Sequence, residues 1–216
     1  MTDIDKVDIA ILGAGPVGMA LAIALAGGPY RVLLIDSRAR GASANDPRAL
    51  ALSHGSRQLL EALAAWRSEA ATAIDSIHVS QRGGFGQTII DRRDYDLPAL
   101  GYVMRYRDLA AGLDARLAET CLLDRQTLTT VQDRGSGVEL QLAAGQATRQ
   151  ITAQLVVHAE GTPASEAGIV VRDYHQHAIV AEVQPRSGHA HRAWERFTAD
   201  GPLALLPLND AYALVL

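Results

Sequence analysis

The stretch that most limits what this chain can fold into runs from Val7 to Asp36. Val7 to Leu12 is an apolar run with branched side chains, interrupted only by Asp8, the pattern of a parallel strand buried on both faces. Gly13-Ala14-Gly15-Pro16-Val17-Gly18 follows, and Pro16 to Ala26, rich in Ala and Leu, reads as a helix. Arg31 to Asp36, RVLLID, is a second buried strand that ends on an acid. Strand, glycine turn, helix, strand and acid make a βαβ unit, whose right-handed crossover sets the two strands side by side. No charge interrupts Ile9 to Tyr30, a length that would also suit a bilayer span of about 20 residues. The glycines and Pro16 near its start break a helix there, so strand, turn and helix is the reading adopted.

The glycine spacing carries chemistry. Gly13 permits the tight turn, Gly15 lets the backbone approach a pyrophosphate, and Gly18 allows the helix to pack closely on the sheet. The helix N-terminus then offers free N–H groups and partial positive charge to phosphates. Asp36 closes the second strand, where a carboxylate can accept both hydroxyls of an adenosine ribose. The motif points to a dinucleotide without choosing between NAD and FAD, and Asp36 disfavours a 2′-phosphate at this site.

Beyond Asp36 the pattern changes. Ser37 to Pro47 is polar, and Arg48 to Trp66 has helical spacing, with Leu50, Leu59, Leu60 and Leu63 able to share a face. Ile74 to Ser80 and Thr88 to Asp91 read as strands joined by a hairpin through Gln81-Arg82-Gly83-Gly84-Phe85-Gly86. Tyr102 to Met104 leads into a helix over Arg107 to Leu117. Leu122 to Val131, Val138 to Leu142 and Arg149 to Thr152 read as a small meander, and Gln154 to Val157 as a further buried strand. After Ser165 helical periodicity is gone, and Ala178–Val183, Ala193–Phe197, Leu203–Leu208 and Tyr212–Leu216 read as strands. No internal repeat is found.

Composition narrows the function classes. With 216 residues, 48% of them apolar, and a mean hydropathy of +0.04, the chain can bury a sizeable core. Its net charge of −4 offers no global positive field, so nucleic acid is not expected as a partner. Cys121 is the lone cysteine and can form no internal disulfide. The opening MTDIDKVD lacks the basic flank and apolar run of a secretory signal, so a cytoplasmic location is expected. His175-x-His177 and His189-x-His191 lack further ligands at usual spacing, so no metal site is expected. Ser53-His54 is no catalytic pair, Trp66 and Trp194 read as packing residues, and Asn209-Asp210-Ala211 reads as a hairpin turn. Cys121 reads as a small buried hydrophobe, and Glu61, Glu69 and Asp75 as a solvated face.

Several segments recur together and in this order in one known family. They are GAGPVGMALAIALA with Asp36, Asp46-Pro47-Arg48-Ala49-Leu50-Ala51-Leu52-Ser53, LVVHAEG, and Glu195-Arg196-Phe197 with GPLALLPL from Gly201 to Leu208. In these the chain resembles the ubiquinone-biosynthesis hydroxylases, which are class A flavin monooxygenases. The resemblance implies an α/β fold: a Rossmann-like βαβ FAD/NAD(P)-binding domain of the p-hydroxybenzoate-hydroxylase kind with a mainly antiparallel substrate sheet. It places the FAD-binding domain at residues 1–73 and 105–173 and the incomplete substrate sheet at 74–104 and 174–216. It implies FAD held by Gly13, Gly15, Gly18 and Asp36, with Arg48 near the flavin or its pyrophosphate and Arg107 and Glu160 as further cofactor contacts. Leu203, Leu205 and Pro207 would face the flavin side and touch substrate. No catalytic side chain is assigned. NADPH or NADH would reduce the FAD, and oxygen would then hydroxylate an electron-rich polyprenylated phenol. A lipid-tailed substrate further implies peripheral contact with the inner membrane and other ubiquinone-biosynthesis proteins as partners.

The sequence departs from the family pattern at particular places. Glu160 stands where the family has a shorter Asp, Ser165 runs almost directly into Gly168-Ile169, and Pro29 stands where a glycine is usual. Tyr106, flanked by Arg105 and Arg107, takes the register of a common arginine. The family's second flavin motif, Gly-Asp-Ala followed by a proline and a glycine-rich helix start, is not in these 216 residues, so the chain is expected to be inactive alone. The other readings are an NAD-linked reductase using the same βαβ unit, and a non-catalytic flavoprotein-like module of a biosynthetic complex.

Overall fold

The glycine-rich N-terminus folds as its pattern demands. In the computed structural model, which describes residues 6–118, 121–161, 170 and 172–216, β1 (Lys6–Leu12) enters a turn at Gly13 and leaves it as α1 (Pro16–Leu25). Pro16 occupies the first helical turn, where its fixed φ suits the helix and its missing N–H costs no hydrogen bond. β2 (Val32–Ile35) returns parallel to β1, pairing Ile9 with Val32 and Leu12 with Ile35. The uncharged stretch is thus strand, turn and helix, and among the described residues no helix is long and apolar enough to cross a membrane.

By packing, the chain divides into two compact units. The first comprises Met1–Ala44, Leu63–Ala65 and Ala110–Ile169. Its six-stranded sheet adds β8 (Leu122–Leu123), β9 (Thr127–Asp133), β10 (Val138–Ala144) and β11 (Ala147–His158), in the order β8-β2-β1-β11-β10-β9. The four strands from β8 to β11 run parallel, and β10 and β9 turn back antiparallel. Val7, Ala10, Leu12, Leu33, Ile35, Leu140, Leu142, Ile151 and Ala153 form a buried apolar core of this unit. Two sequence expectations are corrected here. Arg149–Thr152 and Gln154–Val157 are not separate strands: β11 is a single 12-residue strand, because its first half pairs with β10 and its second with β1. The expected strand Leu122–Val131 is broken between β8 and β9, where Arg125 takes φ 53° and the Gln126 N–H donates to the Asp36 carbonyl at 2.9 Å.

The second unit comprises Asn45–Ala62, Trp66–Leu109 and Val170–Leu216. One sheet joins β3 (Ala49–Ser53), β7 (Gly101–Arg105) and β4 (Ala71–Ile74), in the order β3-β7-β4. A second has six strands, β12 (Val180–Val183), β15 (Ala211–Val215), β14 (Gly201–Leu208), β13 (Arg192–Thr198), β5 (Ser76–Gln81) and β6 (Gln87–Asp91), in that order. All its pairs are antiparallel except β13 with β5. Ile74, Val103, Ala193, Leu208 and Ala213 form the core of this unit. The β5–β6 hairpin and the turn at Asn209-Asp210 between β14 and β15 match the sequence reading. α3 (Tyr106–Asp114) follows β7 directly, with Leu109 and Leu113 buried.

The helix read over Arg48–Trp66 is corrected. Its first part is β3, pairing Leu50 with Met104 and Leu52 with Tyr102, and only α2 (His54–Ala62) is helical. Leu60 is buried but Leu59 is exposed. The Ser53 Oγ accepts the Ser56 N–H at 3.0 Å, so Ser53 caps the helix and ends the strand at once. Cys121 is half-buried rather than fully so, its thiol donating to the Ala118 carbonyl at 3.1 Å, and burial pushes that thiol's pKa up. Glu61, Glu69 and Asp75 are paired with Arg57, Arg67 and Arg92. The shortened stretch from Ser165 to Ile169 lies outside the described residues.

Candidate functional site: a glycine turn and an acid

In the first unit the turn after β1 is closed by backbone contact on two sides. The Gly13 N–H donates to the Ile35 carbonyl at 2.7 Å, and the Ala159 N–H donates to the Leu12 carbonyl at 2.8 Å. Gly13 has φ +99°, and a Cβ there would lie 2.7 Å from the Ala159 carbonyl oxygen and 2.8 Å from the Glu160 Cα. A side chain is excluded both by conformation and by space. At Gly18 a Cβ would sit 2.0 Å from the Gly13 carbonyl oxygen, with the Leu34 side chain 3.3 Å away. The absence of a side chain at both positions is what lets α1 start against the turn. Gly15 is the residue before the helix, in extended conformation with no side-chain cap. The first turn of α1 carries no acidic side chain, so nothing there repels an anion from its N–H groups.

Asp36 leaves β2 beside this turn and is 8% exposed. Its Oδ2 accepts the Ala14 N–H at 2.7 Å and the Arg38 Nη2 at 3.2 Å; its Oδ1 accepts the Arg38 N–H at 2.7 Å and the Arg38 Nε at 3.1 Å. Burial alone would raise its pKa, but the hydrogen bonds from the Arg38 side chain and from the Arg38 and Ala14 backbones outweigh it, so the carboxyl lies below its ordinary 3.8. Glu160 leaves β11 just past the point of contact with Gly13, and its Oε2 lies 2.8 Å from the His158 Nδ1. The first unit thereby brings Gly13, Gly15, Gly18, Asp36 and Glu160 to the carboxyl ends of three adjacent parallel strands, where open α/β sheets bind ligands.

The other candidates belong to the second unit. Arg48 precedes β3; its guanidinium makes a forked pair with Asp46, at 2.9 Å from Nε to Oδ1 and 2.7 Å from Nη2 to Oδ2, and lies 4.7 Å from the Tyr106 ring centroid. Arg107 is exposed on the first turn of α3. Arg105, by contrast, pairs with Glu182 at 2.6 Å. Leu203, Leu205 and Pro207 alternate along β14 and so share one face, but only Leu203 and Leu205 are partly accessible: Pro207 is fully buried, which corrects its expected contact with substrate. Leu205 pairs with Trp194, which pairs with His78, and Pro207 pairs with Tyr212. Cross-strand partners share a face, so the apolar side chains of β14 continue into an aromatic surface. The Trp194 Nε1 donates to the Tyr212 hydroxyl at 3.1 Å, and the His78 and Trp194 rings are 4.6 Å apart. Sequence reading treated Trp194 as packing alone; the period-two alternation against GPLALLPL is the signal that marks its face. Among the described residues no group of three or more His, Cys, Asp or Glu could hold a metal ion.

With this geometry in hand, comparison with known proteins is direct. A model of the FAD binding domain matches residues 6–210. The 3-demethoxyubiquinol 3-hydroxylase of Escherichia coli (strain K12) is 30% identical over 220 residues, covering 95% of this chain and 56% of that protein. The ubiquinone hydroxylase UbiL of Rhodospirillum rubrum is 31% identical over 230 residues, covering 94% of this chain and 50% of that one. The chain therefore spans about half the length of these relatives. In fold it is similar to p-nitrophenol 4-monooxygenase PnpA from Pseudomonas putida DLL-E4, with a TM-score of 0.74 at 13% identity over 98% of this chain and 57% of that one. The glycine turn against β11, the acid at the end of β2 and a family match over nearly the whole length agree: the chain belongs to the FAD binding domain family.

Proposed function

We propose that this chain carries the FAD-binding part of an aromatic-ring hydroxylase of ubiquinone biosynthesis, acting on a polyprenylated phenol with NADPH or NADH and oxygen. The observation that carries the reading is the cradle at Gly13 and Gly18, which a single Cβ would fill, beside a buried acid held below its ordinary pKa. The order of its motifs resembles the 2-octaprenyl-6-methoxyphenol hydroxylases within that group. The residues fit the adenosine diphosphate half of FAD. Free N–H groups at the start of α1 hold the diphosphate, Gly13 and Gly15 let it approach the backbone, and the Asp36 carboxylate accepts the ribose hydroxyls.

FAD, when bound and reduced by a nicotinamide, supplies the oxygen activation that hydroxylates the ring. The protein's part is orientation and exclusion of water. This reading assigns Arg48 and Arg107 to the cofactor as positive charges, and Glu160, restrained by His158, as a carboxylate beside the turn. Leu203 and Leu205, continued by Trp194, present an apolar and aromatic face on which a phenol ring can lie, with Pro207 buried at its end. In this reading residues 1–73 and 105–173 serve the cofactor and 74–104 and 174–216 the substrate. In the same reading the cofactor-serving residues bind the nucleotide half of FAD. The protein works in the cytoplasm at the inner-membrane surface, with other ubiquinone-biosynthesis proteins as partners.

The test is a visible absorption spectrum of the purified chain after incubation with FAD and desalting. Wild type retains a flavin band and Asp36→Asn loses most of it; a folded wild type with no band and no binding of ADP-ribose by calorimetry would sink the proposal.

A further inference from the structure

Asp36 is already saturated. A carboxylate offers about four lone-pair directions, and four donors occupy them: two backbone N–H groups, from Ala14 and Arg38, and two guanidinium nitrogens of Arg38. A ribose diol is itself a pair of donors and needs two of those positions. The backbone donors cannot leave, because Ala14 is fixed inside the glycine turn and the Arg38 N–H by the strand end. The guanidinium can: its own side chain is 50% exposed, so it can turn into water while the incoming ribose hydroxyls take its place as donors to the buried Asp36 oxygens. We propose that the Arg38 side chain is a latch on the adenosine site, closed over Asp36 in the free protein and displaced when a ribose with free 2′ and 3′ hydroxyls enters.

The inference rests on the reading of Asp36 as the ribose acceptor and adds a residue that sets how tightly and how selectively the site binds. Opening the latch costs affinity for a ligand that must take Asp36 from Arg38, and costs nothing for a ligand that makes no claim on Asp36. Arg38 is therefore a positioning residue with an inhibitory sign, although a guanidinium near a diphosphate would by charge alone favour binding.

The experiment compares ADP with 2′,3′-dideoxy-ADP, titrated calorimetrically into wild type and Arg38→Met, which keeps the apolar stem and removes the donors. Removing the latch should tighten ADP binding by roughly three- to tenfold, the order expected for releasing one half-exposed charged hydrogen-bonded partner, and leave dideoxy-ADP unimproved. Raising the salt concentration should narrow the gap for ADP, because screening opens the latch in wild type. Arg38→Lys, which keeps the charge without the planar fork, should show a smaller gain in the same direction and serves if the Met variant folds poorly. Equal or weaker ADP binding by the Met variant, or an equal gain for both nucleotides, overturns the latch while leaving the ribose reading of Asp36 intact. No nucleotide binding by any of the three proteins overturns both.

Discussion

Replacing Gly18 by alanine tests the argument that the helix must touch the turn. The added Cβ would lie 2.0 Å from the Gly13 carbonyl oxygen. Such contacts do not occur below 3.0 Å, so α1 or the turn must move by about an ångström. Both are held: Gly13 by its bond to Ile35 and by the Ala159 contact, and α1 by the burial of Met19 and Ala22. Forcing an atom into such a site costs about 3 kcal/mol at the upper end of ordinary overpacking. Alanine's better helix propensity returns about 1 kcal/mol. The net loss of about 2 kcal/mol should lower the melting temperature by about 4–8 °C for a chain of this size. Flavin retention should fall further than stability does, since the helix N-terminus is displaced from the phosphates. Calorimetric melting and flavin retention after desalting read the two effects separately. Gly188→Ala, where a Cβ meets nothing within 4 Å, is the control and should change neither. A Gly18→Ala protein that melts with wild type and keeps its flavin would refute the claim that close approach is what this glycine supplies.

The remaining predictions concern single side chains. Asp36 has a folded pKa below 3.8, so its ionised form contributes stability that is complete above that value and is lost as pH falls through the lower folded value; the gap in melting temperature between wild type and Asp36→Asn should therefore be flat at pH 5–6 and shrink below pH 3.8, whereas a gap that widens on acidification would contradict the sign. Ser53→Ala removes the cap from α2 and should cost about 1 kcal/mol, read as a shift in the urea midpoint without a change in slope. Leu140→Ala empties a fully buried position of the first unit's core and should cost about 2–5 kcal/mol by urea unfolding; a loss below 1 kcal/mol would mean that site is not close-packed.

The βαβ unit, the glycine spacing, Asp36 and the β5–β6 and β14–β15 hairpins were legible in the sequence because each is settled within a few residues of itself. A turn that requires φ +99° at Gly13 needs glycine whatever surrounds it, and the apolar run Ile9–Leu12 beside such a turn has few alternatives to a buried parallel strand. Tertiary pairing decided the rest. Leu59, Leu60 and Leu63 have helical spacing and the predicted helix extends back to Leu50, yet Leu50 lies in a strand because β7 offers it a partner at Met104, and periodicity carries no information about that partner. β11 reads as two segments because only its neighbours, β10 at one end and β1 at the other, show that it is one. Trp194 became part of a shared face only when register placed it across from Leu205. The fork of Arg38 on Asp36 is likewise invisible in a string of letters: two residues apart say nothing of which oxygens are filled, and that depends on where the Ala14 N–H points once the turn has closed. Local backbone constraint determined the glycine turn and the acid beside it, and long-range pairing alone decided which side chains surround them, since the energy of a contact depends on positions in space that sequence separation does not encode.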